Sequence, residues 1–186
     1  MKELYLCRHG ETEWTLSGKH TGKTDIGLTE KGKAEAAVLR KKIQAVSFDQ
    51  VFTSPLMRAR QTCEGIDAIV DPSVVEWDYG QYEGRTTAEI HKENPNWNLF
   101  YDGAPGGESA EQVGKRADLL LQKARQFSGN VAVFSHGHFL RVLAARFLEL
   151  DPKMGRLFSL SVASISILGF EKQKPVINLW NETPNF

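Results

Sequence analysis

The chain has 186 residues, no formal net charge, 41% hydrophobic and 25% charged residues, which is the balance of an ordinary globular protein of about one domain. Without a basic surplus it offers no general attraction to nucleic acid or to an acidic membrane surface, and no run approaches the ~18 apolar residues of a membrane span. A small anionic substrate stays open, because it needs only a local positive pocket.

Residues 3–7 (Glu-Leu-Tyr-Leu-Cys) read as a buried strand that opens the fold, followed by a polar loop from Gly10 to Gly27. Thr29 can cap a helix to about Val46, with Ala34, Ala37, Val38, Leu39 and Ile43 as its apolar stripe. Gln50–Thr53 is a second strand, and Pro55 suits the first turn of a helix over about 56–68. Val74–Glu76 is a short extended piece. The stretch 77–108 is rich in glycine and proline, with short helices over 86–93 and 95–101. Ser109 and Gln112 have capping-box spacing and start a helix to about Phe127. Val131–Phe134 is a buried strand, a helix over His138–Leu148 follows, and 162–170 with 175–180 read as a closing hairpin. Strands alternating with helices predict an α/β sheet covered on both faces, and the final pair predicts that the sheet is not purely parallel. No linker or repeat divides the chain, so residues 1–186 read as a single domain.

The two cysteines, Cys7 and Cys63, form no CxxC pair, and Met1–Leu6 has no long apolar leader region, so both read as reduced thiols of a cytoplasmic protein. Gly18-Lys19-His20-Thr21-Gly22-Lys23-Thr24 superficially suggests a nucleotide loop. It has three residues between its glycines where that loop needs four, and no strand or helix flanks it.

Two segments share one layout: Leu4–Cys7 runs into Arg8-His9-Gly10, and Val131–Phe134 runs into Ser135-His136-Gly137. Ligands of open α/β sheets bind beyond the carboxyl ends of the strands, so His9 and His136 meet at that edge if the two strands are parallel neighbours. Arg58 adds charge in the first turn of a helix, where free N–H groups favour an anion, and Arg8 and Arg58 can fork onto phosphate oxygens. Neutral imidazole is a good nucleophile toward phosphorus, and two arginines with a second histidine supply positive charge around it. Taken singly, an Arg-His pair after a strand is usually surface decoration and a helix-start arginine is usually solvated. Their joint occurrence at strand ends points to phosphoryl transfer.

Arg8-His9-Gly10-Glu11-Thr12 resembles the signature of the histidine phosphatase superfamily, which includes the cofactor-dependent phosphoglycerate mutases and many phosphatases. Thr53–Thr62 is similar to its second motif, Glu76-Trp77-Asp78-Tyr79-Gly80 to its proton-donor segment, and Gly106–Ser109 and Ser135-His136-Gly137 complete the set. The resemblance implies a phosphoglycerate mutase-like three-layer α/β sandwich, with a mostly parallel central sheet, helices on both faces, and a substrate-covering insertion at about 77–108. It implies that His9 is phosphorylated, that Arg8, Arg58 and His136 hold the transferring group, and that Glu76 is the acid and then the base. Thr15, Thr21, Gly22, Tyr79, Gly137 and His138 fall on the substrate side, and no metal or organic cofactor is called for.

Departures from the mutases favour a phosphatase. Thr15 stands where they carry asparagine, Trp97-Asn98-Leu99-Phe100-Tyr101 lacks their paired arginine, and their long C-terminal tail is absent. Glu76–Gly80 and His136–Arg141 look most like small sugar-phosphate phosphatases that include sedoheptulose bisphosphatases. The expected function is therefore metal-independent hydrolysis of small phosphomonoesters, sugar phosphates or bisphosphates. The alternative is a cofactor-dependent phosphoglycerate mutase; a protein phosphatase and an inactive phospholigand-binding module rank lower. The expected partner is a small phosphomonoester, with neither nucleic acid nor membrane; a homodimer is left open. Trp97, Phe100 and Tyr101 read as pins for the insertion, His20 as a loop residue beside the site, and His91 as solvent-facing.

Overall fold

A computed structural model describes residues 1–183. Its sheet has six strands: β1 (Leu4–Arg8), β2 (Phe48–Thr53), β3 (Ile69–Val70), β4 (Asn130–Ser135), β5 (Ile165–Glu171) and β6 (Lys174–Glu182), in the order β3-β2-β4-β1-β5-β6. The first four pair in parallel, and β5 and β6 add an antiparallel edge beside β1. The sheet is thus mostly parallel, as the alternation of elements predicts. The interiors of these strands, Leu4–Cys7 in β1 and Val131–Phe134 in β4, are apolar runs rather than alternating, because a central parallel strand is covered on both faces.

Alternate residues feed two cores. Leu4, Leu6, Val131 and Val133 face α6 (Ala110–Ala124) and α7 (Gly137–Phe147), where Leu120, Leu140 and Phe147 lie. Tyr5, Cys7, Ala132 and Phe134 face α2 (Glu30–Ile43) through Leu39 and Ile43. This is the three-layer sandwich.

Several elements differ from the sequence reading. The loop 10–27 contains a short helix, α1 (Glu13–Leu16), closed by a capping box between Thr12 and Thr15. Helix α2 buries Gly32, Glu35, Ala36, Leu39 and Ile43, leaving Ala34 and Ala37 outside. The cause is tertiary: the Glu35 carboxylate turns inward to accept the Glu11 N–H at 2.9 Å, and Gly32 lets the helix lie against the Glu11 backbone. Helix α3 (Met57–Thr62) is shorter than expected and stops before Gly65, which has positive φ. Residues 72–74 form a 3-10 turn that takes Val74 out of the expected extended piece, while Val75 is extended, and the two-residue β3 is absent from the sequence reading. In the 77–108 segment, α4 (Thr87–Glu93) matches its expectation, while α5 is confined to Leu99–Asp102 by the Asn98 cap. The β5–β6 hairpin turns on Lys172 and Gln173, both at positive φ, as a two-residue turn requires.

Candidate active site

β1 and β4 lie in parallel register with Arg8 opposite Ser135, so the two histidines leave the sheet together. Their ring centroids are 5.2 Å apart. The His9 N–H donates to the Ser135 carbonyl at 3.1 Å, and the Ala163 N–H donates to the His9 carbonyl at 2.9 Å, which pins His9 at the strand end. Its Nδ1 is 2.8 Å from the Gly10 carbonyl. A carbonyl only accepts, so Nδ1 carries the hydrogen and Nε2 is left with the lone pair. Burial, reinforced by Arg58 and Arg8, holds the His9 pKa well below the usual histidine range. The ring is therefore neutral and nucleophilic at ordinary pH.

His136 has the opposite tautomer. Arg58 Nε donates to its Nδ1 at 3.1 Å, which places the hydrogen on Nε2, 2.8 Å from Ser54 Oγ. Burial, with Arg58 and His9 nearby, also keeps this ring neutral. Arg58 is wholly buried and is not on the cavity wall. It donates to the carbonyls of Thr21, Gly22 and Thr24 at 2.8–3.0 Å, and so stands behind the histidines as a charge held by backbone. The anion seat read from the start of its helix is taken: the Met57 N–H donates to Asp25 at 2.6 Å. Gly22 is also off the wall, since the Glu83 carboxylate accepts its N–H at 2.9 Å and that of Thr24 at 3.0 Å.

The remaining expected residues line one cavity of about 330 Å³: Arg8, His9, Thr15, Thr21, Glu76, Tyr79, Gly137 and His138. Arg8 donates to the Leu160 carbonyl, its buried Nε has no partner, and a Cβ at Gly137 would come within 3.1 Å of its Cζ. Glycine at 137 thus leaves room for the guanidinium. Glu76 Oε1 accepts N–H groups from Trp77 (2.8 Å) and Phe139 (2.9 Å), and Oε2 accepts one from His138 (3.1 Å), so the carboxyl sits against the start of α7. Tyr79 Oη lies 2.6 Å from His138 Nδ1. Burial raises the phenol pKa well above its ordinary value and lowers that of the imidazole, so the pair is uncharged.

His20 reaches the same wall, stacked 4.8 Å from Tyr79. Trp97 and Phe100 are buried: Trp97 Nε1 donates to the Gly103 carbonyl at 2.8 Å, and Phe100 packs on Trp77 and His138, whereas Tyr101 is exposed. His91 is not free in solvent; its Nε2 lies 2.9 Å from the Trp97 carbonyl. Lys19, Arg141, Leu160 and Val162 also line the cavity and were missed. Only Arg141 had a signal: it follows Gly137 and His138 at helical i+4 and i+3 spacing. A second cavity of about 240 Å³ shares His20, His138 and Arg141 and adds Arg156. Among the described residues, no group of three or more His, Cys, Asp and Glu converges as a metal-binding cluster.

A six-stranded, mostly parallel α/β sheet that brings two neutral histidines, an arginine and a carboxyl to its strand ends defines a phosphoryl-transfer fold of the mutase-like class. The chain belongs to the histidine phosphatase superfamily (branch 1), whose profile it matches over residues 4–183. It is 38% identical to an acid phosphatase of Mycobacterium tuberculosis, over 90% of this chain and 86% of that protein. It is 34% identical to sedoheptulose 1,7-bisphosphatase of Saccharomyces cerevisiae (78% and 67%), and 37% identical to a 2,3-bisphosphoglycerate-dependent phosphoglycerate mutase of Mesorhizobium japonicum (83% and 84%). The solved structure of the open reading frame Rv3214 of M. tuberculosis superposes with a TM-score of 0.94 at 36% identity, covering 98% of each chain. Within this superfamily the chain is a phosphoric monoester hydrolase.

Proposed function

We propose that the protein hydrolyses small phosphorylated metabolites, sugar phosphates or bisphosphates, through a phosphohistidine on His9. One observation carries the reading: His9, with its lone pair on Nε2, shares a cavity wall with the Glu76 carboxyl. His9 Nε2 attacks phosphorus and the bond to the ester oxygen breaks, while Glu76 gives that oxygen a proton. Water then attacks the phosphohistidine, Glu76 takes up a proton, and the N–P bond breaks to release inorganic phosphate. Arg8 at the wall, with Arg58 behind it, supplies the field that steadies the transferring group, while the neutral His136 ring adds no charge of its own and instead anchors Arg58 by accepting its Nε–H. The two arginines provide that charge, so the reaction is expected to proceed in the presence of a chelator.

Charge on the walls supports a substrate with a second anionic group. Lys19, Arg8, Arg141 and Arg156 border the two cavities, none of them is in an ion pair among the described residues, and Glu76 is the one acid on either wall. A single phosphate at His9 leaves the arginines of the second cavity free for another anion. The buried thiols Cys7 and Cys63, both unpaired, fit a cytoplasmic setting.

Phosphate release from p-nitrophenyl phosphate, 3-phosphoglycerate, sugar monophosphates and sugar bisphosphates, measured with a chelator, tests the proposal. Turnover with bisphosphates ranked first is expected. Interconversion of 3- and 2-phosphoglycerate only after bisphosphate priming, with no net release from anything, would establish the mutase reading that the Mesorhizobium relative keeps in view.

A further inference from the structure

Residues 73–78 carry Glu76 into the site yet pair with no strand. Buried backbone must find partners, and here side chains provide them. The carbonyls of Ser73 and Val75 accept from Arg116 Nη1 at 2.7 and 3.0 Å, and that of Glu76 accepts from Nη2 at 3.3 Å. The Val74 carbonyl accepts from Ser135 Oγ at 2.6 Å. The other N–H groups of Arg116 donate to both oxygens of Glu108 at 2.8 Å, and the guanidinium lies 5.1 Å from the centre of the Phe139 ring. Glu108 in turn fixes the far side of Glu76: its carboxylate accepts the Asp78 N–H at 3.0 Å, its N–H donates to the Asp78 carbonyl at 2.9 Å, and its carbonyl accepts from Trp77 Nε1 at 2.9 Å. One ion pair thus holds the backbone before and after Glu76 while α7 holds its carboxyl.

We infer that the Arg116–Glu108 pair is the positioning device that aims the Glu76 carboxyl at the leaving oxygen; this rests on the reading of Glu76 as the acid. Arginine suits the task because its planar fork presents five donors in fixed directions, which an ammonium cannot reproduce. Neither residue lines the cavity, so both act through Glu76.

The test compares kcat/KM for the best sugar phosphate of the panel and for p-nitrophenyl phosphate, whose leaving group barely needs a proton. Variants are Arg116→Ala, Arg116→Lys, Glu108→Gln and, as reference, Glu76→Gln, each checked for folding by circular dichroism. Displacement of a catalytic group by ~1 Å costs ~10²-fold, so Arg116→Ala is expected to lose about that on the sugar phosphate while p-nitrophenyl phosphate is nearly unaffected. Arg116→Lys, which keeps the charge but not the fork, should fall between Arg116→Ala and the unaltered protein on the sugar phosphate. If Arg116→Ala does not fold, Arg116→Lys and Glu108→Gln carry the comparison. Equal losses on both substrates in folded variants, with the split present in Glu76→Gln, overturn the inference. Absence of the split in Glu76→Gln itself overturns the acid assignment beneath it.

Discussion

Replacing Glu76 by Gln changes two quantities that can be measured separately. The carboxylate receives three N–H groups, two on Oε1 and one on Oε2. A carboxamide can turn its oxygen toward Trp77 and Phe139, but its NH2 then faces the His138 N–H across 3.1 Å, donor against donor. Leaving that buried donor unpaired costs about 1–3 kcal/mol of stability. The kinetic loss has another origin. An amide cannot pass a proton, and general acid catalysis contributes roughly 10²–10⁴-fold, or about 3–5 kcal/mol of barrier. That loss belongs to alkoxide leaving groups, while p-nitrophenolate departs almost unaided. Thermal unfolding reads the first quantity, and kcat/KM on a sugar phosphate and on p-nitrophenyl phosphate reads the second. Equal losses on the two substrates would remove Glu76 from the acid role, and unchanged stability would refute the hydrogen-bond accounting.

His9→Ala should abolish turnover and leave the circular dichroism spectrum unchanged, because His9 ends a strand and packs no core; near-normal activity would end the phosphohistidine mechanism. The depressed pKa values of His9 and His136 mean that the unfolded chain binds more protons than the folded one below about pH 6.5, so their contribution to stability is intact above that pH and is lost on acidification. His138, equally buried and depressed, adds to them, so for three buried rings the slope approaches about 4 kcal/mol per pH unit, which denaturant midpoints between pH 7 and 5 would record. His9 nevertheless remains unprotonated in mild acid, so the acid limb of kcat/KM should lie below 6.5; a limb at or above that value contradicts the burial argument. Arg141→Ala should raise KM for a sugar bisphosphate about 10-fold or more, the loss of a charge-assisted contact, and leave p-nitrophenyl phosphate alone. Equal effects would mean that Arg141 does not hold a second anion.

What could be read from the sequence divides along physical lines. Leu4–Cys7 and Val131–Phe134 were legible because strands covered on both faces are uninterrupted apolar runs, and the His-Gly steps after them located the strand ends. Thr29 and Ser109 were legible because caps are local chemistry; the closing hairpin was legible from its two strands, but its turn is tighter than the 171–174 connection they imply, because Lys172 and Gln173 carry no turn signal. The buried face of α2 was not: Glu35 points inward for the sake of the Glu11 N–H, a contact between residues 24 positions apart. Arg58 was found by its motif, but its placement behind the histidines depends on the carbonyls of residues 21–24, which no spacing shows. Lys19, Leu160 and Val162 reach the cavity from irregular backbone with no period to betray them. Trp97 and Phe100 are buried as their apolar bulk implies and Tyr101 is exposed, whereas nothing in the spacing shows that His91 meets a carbonyl six residues on.

The two arginines beside the histidines are held by neutral acceptors and not by carboxylates: Arg58 by the carbonyls of residues 21, 22 and 24 and by His136 Nδ1, and Arg8 by the carbonyl of residue 160 alone. A neutral acceptor orients a cation without cancelling it, so the pocket keeps its positive potential between turnovers. Free phosphate, the product, therefore meets the same unneutralised field as the substrate. Release must work against that field, and the folded chain is an anion receptor by construction. Inorganic phosphate at a hundred times its dissociation constant would then raise the unfolding free energy by about 2.7 kcal/mol, visible as an upward shift in Tm. The same ion would act as a competitive brake on the enzyme when phosphate is plentiful.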